Sequence, residues 1–236
     1  MSVAPVPIVG VSLGHRHQKT AISVTERAYI PTGETLNALN YDHRYKRTRL
    51  VAHEKVTVEY RVRHLERHGP PSSYASVAQR IPEVVHKIGQ EFILVVDMTA
   101  TGRPACSLIL AELTSSLEGT RFRFKHCPLT VSGVAGGVSR SPDAGFLVPR
   151  RDLISVSQIL FDRGQLKIAE ALPLARTLTD ELLAFKPKAD TPGDDLKGWR
   201  EGKDDDLVLS VAVSVWAPER FLRRKDSVPF GALSAS

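Results

Sequence analysis

Short apolar runs separated by amphipathic segments predict a mixed sheet with helices along this chain. Residues 8–14 form an apolar run that ends in glycine, as is typical of a central strand. A second strand is predicted over 20–25, and a half-buried one over 55–63, where apolar and charged residues alternate. Residues 91–97 are almost wholly apolar and end in an acid, which predicts a parallel strand buried on both faces.

Helical patterns fill most of the remaining chain. Ser72 or Ser73 is placed to cap a helix that reaches about Lys87, and Pro82 inside it predicts a kink or a later start. The segment 101–104 begins another helix, which should turn Leu108, Ile109 and Leu113 inward. A strand is predicted over 122–131, and helices over 151–162, 172–185 and 205–216. The order of these elements gives an α/β fold in which helices flank a mixed sheet.

Two segments lack any sustained pattern. Residues from about 27 to 54 turn polar and contain a Pro-Thr-Gly turn signal, so we predict an inserted basic loop there. A polar segment of about 186–203 should link the last two helices. With 236 residues, of which 42% are hydrophobic, the simplest organisation is a single domain over 1–236.

Charge and cysteine content narrow the classes of function. The chain has 32 Lys and Arg against 26 Asp and Glu, and a net charge of +6 suits a partner rich in phosphates. No apolar stretch approaches the roughly 18 residues of a membrane span, and the start lacks a signal-peptide pattern, so we expect a cytoplasmic protein without membrane contact. Cys106 and Cys127 are far apart, which indicates reduced packing residues rather than a disulfide or a zinc site.

Acidic residues stand at two positions where chemistry is often found. Asp97 ends the buried strand, and the carboxyl ends of strands are where open α/β sheets bind ligands. The triplet 204–206 begins an apolar helix. Carboxylates at these places suit Mg²⁺ or Mn²⁺, and a pair of such ions supports phosphodiester cleavage. The structural alternatives are that Asp97 caps the following turn and that the triplet caps its helix.

Five sequence segments resemble the nuclease domains of phage terminase large subunits and occur in the same order. They are GVSLG at 10–14, YRVRHLER at 60–67, VVDMTATGRP at 95–104, VPRRDL at 148–153 and DDLVLS at 205–210. The acid-ended strand and the Asp-Asp helix start are the more specific of these. The resemblance spans nearly the whole chain and implies an RNase H-like fold. It also implies DNA cleavage with Mg²⁺ or Mn²⁺ held by acids from three elements.

The resemblance assigns roles to individual residues. Asp97 takes the place of the central-strand acid and Asp205 that of the last-helix acid, both as catalytic metal ligands, with Asp206 as a catalytic helper. The first-strand acid falls on Ser12. Because serine is a neutral and weak ligand, metal affinity and activity should both fall.

Three explanations of Ser12 follow. The chain is a degenerate nuclease, or a nuclease with one ion held by Asp97 and Asp205, or an enzyme in which His15 or His17 substitutes for the acid. The predicted function is therefore a metal-dependent DNA endonuclease with impaired cleavage. The alternative is a catalytically inactive DNA-binding or assembly module derived from such a nuclease.

Basic residues in two places predict contacts with nucleic acid, most simply double-stranded DNA. The predicted loop interleaves Arg44, Lys46 and Arg47 with tyrosines, as a nucleic-acid groove would. Arg61 and Arg63, and Arg67 with them, should share one face of their strand and contact phosphates without reading sequence. Solvated charges are the structural alternative. The chain has no GxxxxGK[ST] sequence, so a terminase role would require a separate packaging ATPase.

Overall fold

The computed structural model contains one mixed sheet with helices on both faces. It describes residues 5–14, 18–42, 44–69, 73–87, 91–99, 101–132, 136–141, 145–184, 205–221 and 227–229. The strands are β1 (Val6–Ser12), β2 (Thr20–Asp42), β3 (Arg47–His68), β4 (Glu91–Asp97), β5 (Arg123–Ser132), β6 (Ser139–Ser141), β7 (Gly145–Pro149), β8 (Leu166–Ile168) and β9 (Ser227–Pro229). The helices are α1 (Tyr74–Val85), α2 (Gly102–Leu117), α3 (Arg150–Asp162), α4 (Ala175–Ala184) and α5 (Asp206–Phe221).

The sheet has the strand order β6-β7-β5-β4-β1-β2-β3-β8, and β9 pairs with the outer edge of β3. Strand β1 runs antiparallel to β2 and parallel to β4, and β4 runs parallel to β5. The two central strands β1 and β4 are covered on both faces, which explains their continuous apolar runs. The predicted α/β fold with a mixed sheet is confirmed.

Helices form a layer on each face of this sheet. On one face, Ile81 of α1 and Ile109 of α2 share an apolar cluster with Val11 of β1. On the other face, Val211 of α5 and Tyr60 of β3 belong to a second apolar cluster. A third cluster joins the other side of α5 to α3 and the strands β4 and β5. Helix α5 is therefore the central element of its face.

Gly10 of β1 allows α5 to lie unusually close to the sheet. A Cβ atom at this position would lie 2.0 Å from the backbone oxygen of Ser210 and 2.9 Å from the Cβ of Ser214. One turn further along α5, the Ser214 hydroxyl is 2.8 Å from the hydroxyl of Thr25 on β2. Only glycine fits at residue 10, because any side chain would push the helix off the sheet.

A buried polar network fixes the carboxyl end of α5. Arg27 of β2 is 1% exposed, and its guanidinium donates hydrogen bonds to the hydroxyls of Tyr29 and Tyr60. The Tyr60 hydroxyl donates in turn to Glu219 of α5, at 2.7 Å. Burial, with the carboxylate of Glu219 next, raises the pKa of Tyr60. The carboxyl end of α5 is therefore tied to the sheet by polar contacts as well as by packing.

The predicted helices are present, with one error of orientation. The Ser73 hydroxyl caps α1 by accepting from the Ser76 amide at 3.0 Å, and Pro82 lies inside that helix. Helix α2 buries Ile109 and Leu113, as predicted, but Leu108 is 45% exposed. Leu108 precedes Ile109 by one residue and so lies about 100° around the helix from it. The prediction for Leu108 was wrong.

The segment from about 27 to 54 was predicted as an inserted loop, and this was wrong. It forms the outer part of a long β-hairpin, in which β2 and β3 pair from Thr20 with His68 to Asp42 with Arg47. Register shifts interrupt the pairing between Val24 and Thr25 and between Pro31 and Thr35. Beyond the second shift both faces are exposed. Leu39 and Leu50, on one face, are 72% and 63% exposed, and the next pair, Asn40 and Arg49 on the other face, is exposed as well. Because neither face is buried, the apolar alternation that marks a half-buried strand is absent.

The remaining predictions concern smaller features. The linker of about 186–203 lies outside the described residues. The short strands β6, β7, β8 and β9 were not predicted. Both cysteines are buried free thiols, as expected. In the described part of the chain, no helix is long and apolar enough to cross a membrane.

Candidate metal and nucleic-acid site

A row of paired residues crosses the sheet at the carboxyl end of β1. Ser12 pairs with Ala21 of β2 on one side and with Asp97 of β4 on the other. Ala21 pairs with Arg67 of β3, and Asp97 pairs with Leu129 of β5. Directly paired residues turn their side chains to the same face of a sheet, and Gly10, two residues before Ser12, faces α5. The whole row therefore lies on the α5 face.

The start of α5 lies at the same end of the sheet. The helix contacts Thr25, the partner of Ile8, through Ser214, and it contacts Gly10 through Ser210. Ser214 is thus level with Ile8, and Ser210 is level with Gly10. Four residues back along the helix, about 6 Å, therefore correspond to two residues forward along β1, about 6.6 Å. One further step brings the first residue of α5 level with Ser12. The topology thus brings the strand acid and the helix acids to one end of one face.

Asp97 is held in place by a nearby threonine. Its side chain is buried, and its Oδ1 accepts hydrogen bonds from the Thr99 amide, at 2.9 Å, and from the Thr99 hydroxyl. The same hydroxyl accepts from the Val131 amide at 2.8 Å, which links it to β5. Asp97 therefore does organise the turn that follows its strand, as one alternative predicted. This arrangement also fixes the direction of the carboxylate.

Asp205 is paired with an arginine from another element. The Arg150 Nη2 atom, at the start of α3, lies 3.1 Å from Asp205 Oδ2. Burial raises the pKa of Asp205, and the neighbouring Asp206 also raises it, while Arg150 acts in the opposite direction. Ionised Asp205 is thus only partly compensated by its partner. A second cation near Asp205 would stabilise its ionised form further.

Asp206 belongs to a separate ion-pair network. Arg67 Nε donates to Asp206 Oδ2 at 2.7 Å, and Arg67 Nη2 pairs with Glu181 of α4. Burial raises the pKa of Glu181, and Arg67 acts in the opposite direction. Arg67 was predicted to share a phosphate-contacting face with Arg61 and Arg63, and this was wrong. A register shift adds a residue to β3 opposite Val24 and Thr25, which moves Arg67 to the α5 face.

The other predicted nucleic-acid contacts lie away from this row. Arg61 pairs with Glu59 at 3.1 Å, and Arg63 pairs with Glu26 at 3.3 Å, both on exposed surface. Arg44, Lys46 and Arg47 lie at the tip of the hairpin. Strand β2 leaves the row at Ala21 and reaches the tip 21 residues later at Asp42, a contour on the order of 70 Å. The tip therefore extends from the end of the sheet opposite to Asp97.

The donor set at the row fits one divalent ion better than two. Asp97 and Asp205 offer carboxylate oxygens, and Mg²⁺ can be bound by one or two carboxylates with waters completing its shell. Ser12 supplies no charge, and Asp206, whose side chain is 10% exposed, is engaged by Arg67. Asp205 also contacts an arginine, Arg150, but its side chain is 31% exposed and so is more open to an ion. Among the residues that the structure describes, no group of three or more His, Cys, Asp or Glu is placed to hold a metal ion. His15, His17 and Asp204 lie outside those residues.

Two solved structures share this architecture. The manganese-soaked nuclease domain of human cytomegalovirus terminase superposes with a TM-score of 0.51 at 13% identity, covering 90% of this chain and 83% of that one. A second structure of that domain gives 0.51 at 12% identity, covering 91% and 84%. The chain has the fold of a terminase nuclease domain. This result confirms the predicted RNase H-like architecture. A more distant likeness, with a TM-score of 0.46 at 16% identity and coverage of 89% and 81%, is to the large terminase nuclease of thermophilic phage G20c. No family model and no curated protein matches the sequence.

Three residues of the site were not predicted from the sequence. Thr99 follows Asp97 by two residues, and an Asp-x-Thr sequence after a strand is a local signal for the turn that it forms. Arg150 and Glu181 carry no such signal. They reach the helix acids only because α3 and α4 pack beside α5.

Proposed function

We propose that this protein is a DNA nuclease of the terminase type that cleaves slowly with one divalent ion, Mg²⁺ or Mn²⁺. The observation that carries the proposal is the pairing of Ser12 with Asp97 at the sheet end where α5 begins. Ser12 replaces the first-strand acid there, and the central strand and the last helix keep their acids, Asp97 and Asp205. The manganese-soaked terminase nuclease domain with the same fold supports the choice of ion.

Asp97 and Asp205 would hold the ion in this proposal. Once bound, the ion would polarise a phosphodiester and lower the pKa of a water molecule. The two hydrogen bonds from Thr99 keep the Asp97 carboxylate directed in the absence of a ligand. Arg150, which is 3.1 Å from Asp205, adds a positive charge near the position of a scissile phosphate. Ser12 contributes no charge, and for this reason we expect cleavage to be slow.

DNA would be held mainly through its backbone. Arg61 and Arg63 lie on exposed surface of β3, and Arg44, Lys46 and Arg47 surround the hairpin tip. Two of the tip arginines lie over the Tyr45 ring, at 5.8 Å and 5.3 Å from its centre. Cations interleaved with an exposed ring suit phosphates and unstacked bases. Because these cations lie away from Asp97, they would bind double-stranded DNA at a distance from the cleaved bond. A packaging role would also need a separate ATPase as partner, because the sequence contains no GxxxxGK[ST] motif.

A non-catalytic DNA-binding or assembly module is the second candidate. The observation in its favour is that both helix acids are paired with arginines, Asp205 with Arg150 and Asp206 with Arg67. Carboxylates that already have cationic partners bind a metal ion less readily, because the ion must displace or share that charge.

Plasmid cleavage separates the two candidates. Supercoiled plasmid is incubated with the full chain and Mg²⁺ or Mn²⁺, beside the variants Asp97→Asn, Asp205→Asn and Ser12→Asp. We expect slow nicking by the native chain, none by either Asn variant, and faster nicking by Ser12→Asp. An inert native chain that still shifts DNA in a gel, and is activated by Ser12→Asp, supports the binding module. If no variant cuts and none binds DNA, both proposals are wrong.

A further inference from the structure

Two carboxylates on the hairpin side of the row, those of Asp206 and Glu181, already have a cation between them. Asp206 comes from α5, Glu181 from α4 and Arg67 from β3, so three separate elements meet in one ion-pair network. Asp206 and Glu181 would repel each other without a cation between them, and Asp206 raises the pKa of Glu181. The guanidinium contacts both carboxylates, through Nε and through Nη2.

This network is nearly closed to water. The side chains of Arg67, Asp206 and Glu181 are 14%, 10% and 11% exposed. A guanidinium is permanently charged and carries donors in a rigid fork, so it is well suited to remain between two buried carboxylates. The arrangement is built into the fold, because Arg67 shares its sheet row with Ser12 through Ala21.

Two residues of this row disfavour a second divalent ion, Ser12 by lacking a negative charge and Arg67 by carrying a positive one. Ser12 lacks the negative charge that a pair of divalent ions requires between them, and Arg67 supplies one positive charge two strands away. We propose that Arg67 acts as a built-in cation in place of a second divalent ion, so that the site accepts one ion and Asp206 takes no part in binding it. This inference rests on the proposed single-ion function. It attributes the exclusion of a second ion to Arg67 as well as to the missing acid at Ser12.

The proposal predicts a result that differs from the result expected if the missing acid at Ser12 were the only obstacle to a second ion. If the loss of the first-strand acid were the only obstacle, Ser12→Asp would restore binding of a second ion. If Arg67 also excludes that ion, Ser12→Asp should still bind one, and a second should bind only when Arg67 is neutralised as well. Arg63 offers a matched control, because it lies on the same strand and pairs with Glu26, outside this network.

The experiment counts Mn²⁺ ions bound by the full chain with isothermal titration calorimetry. The proteins are the native chain, Ser12→Asp, the double variant Ser12→Asp with Arg67→Gln, and the control Ser12→Asp with Arg63→Gln. We expect two ions for the Arg67 double variant and one for each of the other three. Melting curves with and without Mn²⁺ establish that each variant is folded.

Several results would overturn the proposal. Two ions bound by Ser12→Asp alone, or by the Arg63 control, would show that Arg67 excludes nothing. One ion bound by a folded Arg67 double variant would show the same. If that variant is unfolded without metal, the proposal expects millimolar Mn²⁺ to restore its fold, and failure to do so contradicts it. Absence of Mn²⁺ binding in all four proteins would refute the single-ion function as well, whereas the other results leave that function intact.

Discussion

Replacing Gly10 with alanine should both destabilise the fold and disturb the site. The new Cβ would lie 2.0 Å from the Ser210 oxygen, and an ordinary contact begins at 3.4 Å, so α5 would have to retreat by about 1.4 Å. The obstructing atom belongs to the helix backbone and cannot turn aside. Overpacking of a core usually costs ~1–3 kcal/mol, and a clash with backbone belongs at the upper end, about 3 kcal/mol. For a chain of this size that corresponds to a fall in melting temperature of roughly 6–12 °C.

The same displacement should reduce activity, because α5 carries Asp206 and begins directly after Asp205. A misplacement of about 1 Å can cost on the order of 100-fold in rate. Gly137→Ala is the matched control, since no atom in the described part of the chain lies within 4 Å of a Cβ at that position. Calorimetric melting and plasmid nicking of both variants measure the two effects. If Gly10→Ala melts within about a degree of Gly137→Ala, α5 does not pack on β1 as described.

Further predictions concern the acids and the thiols. Thr99→Val should weaken Mn²⁺ binding by about 10-fold, because it removes a donor to Asp97. Thr101→Val should not, because its hydroxyl has no hydrogen-bond partner among the described residues. Equal Mn²⁺ affinities in the two variants would contradict this role. The raised pKa of Asp205 gives stability that is present below the pKa of the unfolded chain and lost as pH rises through the folded pKa. Asp205→Asn should therefore gain stability over the native chain at pH 7 and lose that advantage near pH 3 in urea titrations; a constant difference would refute this. Burial raises the pKa of Cys127 to about 12 and also raises that of Cys106, so a thiol reagent at pH 8 should label both only after unfolding. Rapid labelling of the native chain would contradict their burial.

Local sequence patterns were sufficient to predict single elements and their ends. The apolar run 91–97 is a buried parallel strand because helices cover both of its faces, and the cap at Ser73 is set by a neighbouring amide. The outer part of the hairpin was not predicted as strands, for a physical reason. Its strands are paired but exposed on both faces, so the chain carries no apolar alternation there.

The site was predictable only in part. Asp97 and Asp205 could be proposed as metal ligands because each stands at the end of an element with a strong apolar pattern. The face of Arg67 was wrong because an added residue in β3 reverses the alternation after Arg63, and such a bulge has no clear sequence signal. Arg150 and Glu181 are distant in sequence from the acids that they affect. Their contribution depends on helix packing, which no local pattern encodes.

The most direct test of the account is the position of Mn²⁺ in a crystal of the native protein. Anomalous scattering from a soaked crystal locates the ion without reference to activity. We predict one peak, at the carboxyl end of β1, bound by Asp97 and Asp205, with the ion pair between Arg67 and Asp206 unbroken. Two peaks, or one peak bound by Asp206 with Arg67 displaced, would contradict the single-ion site. No peak at this end of the sheet at saturating Mn²⁺ would refute the metal-dependent function itself.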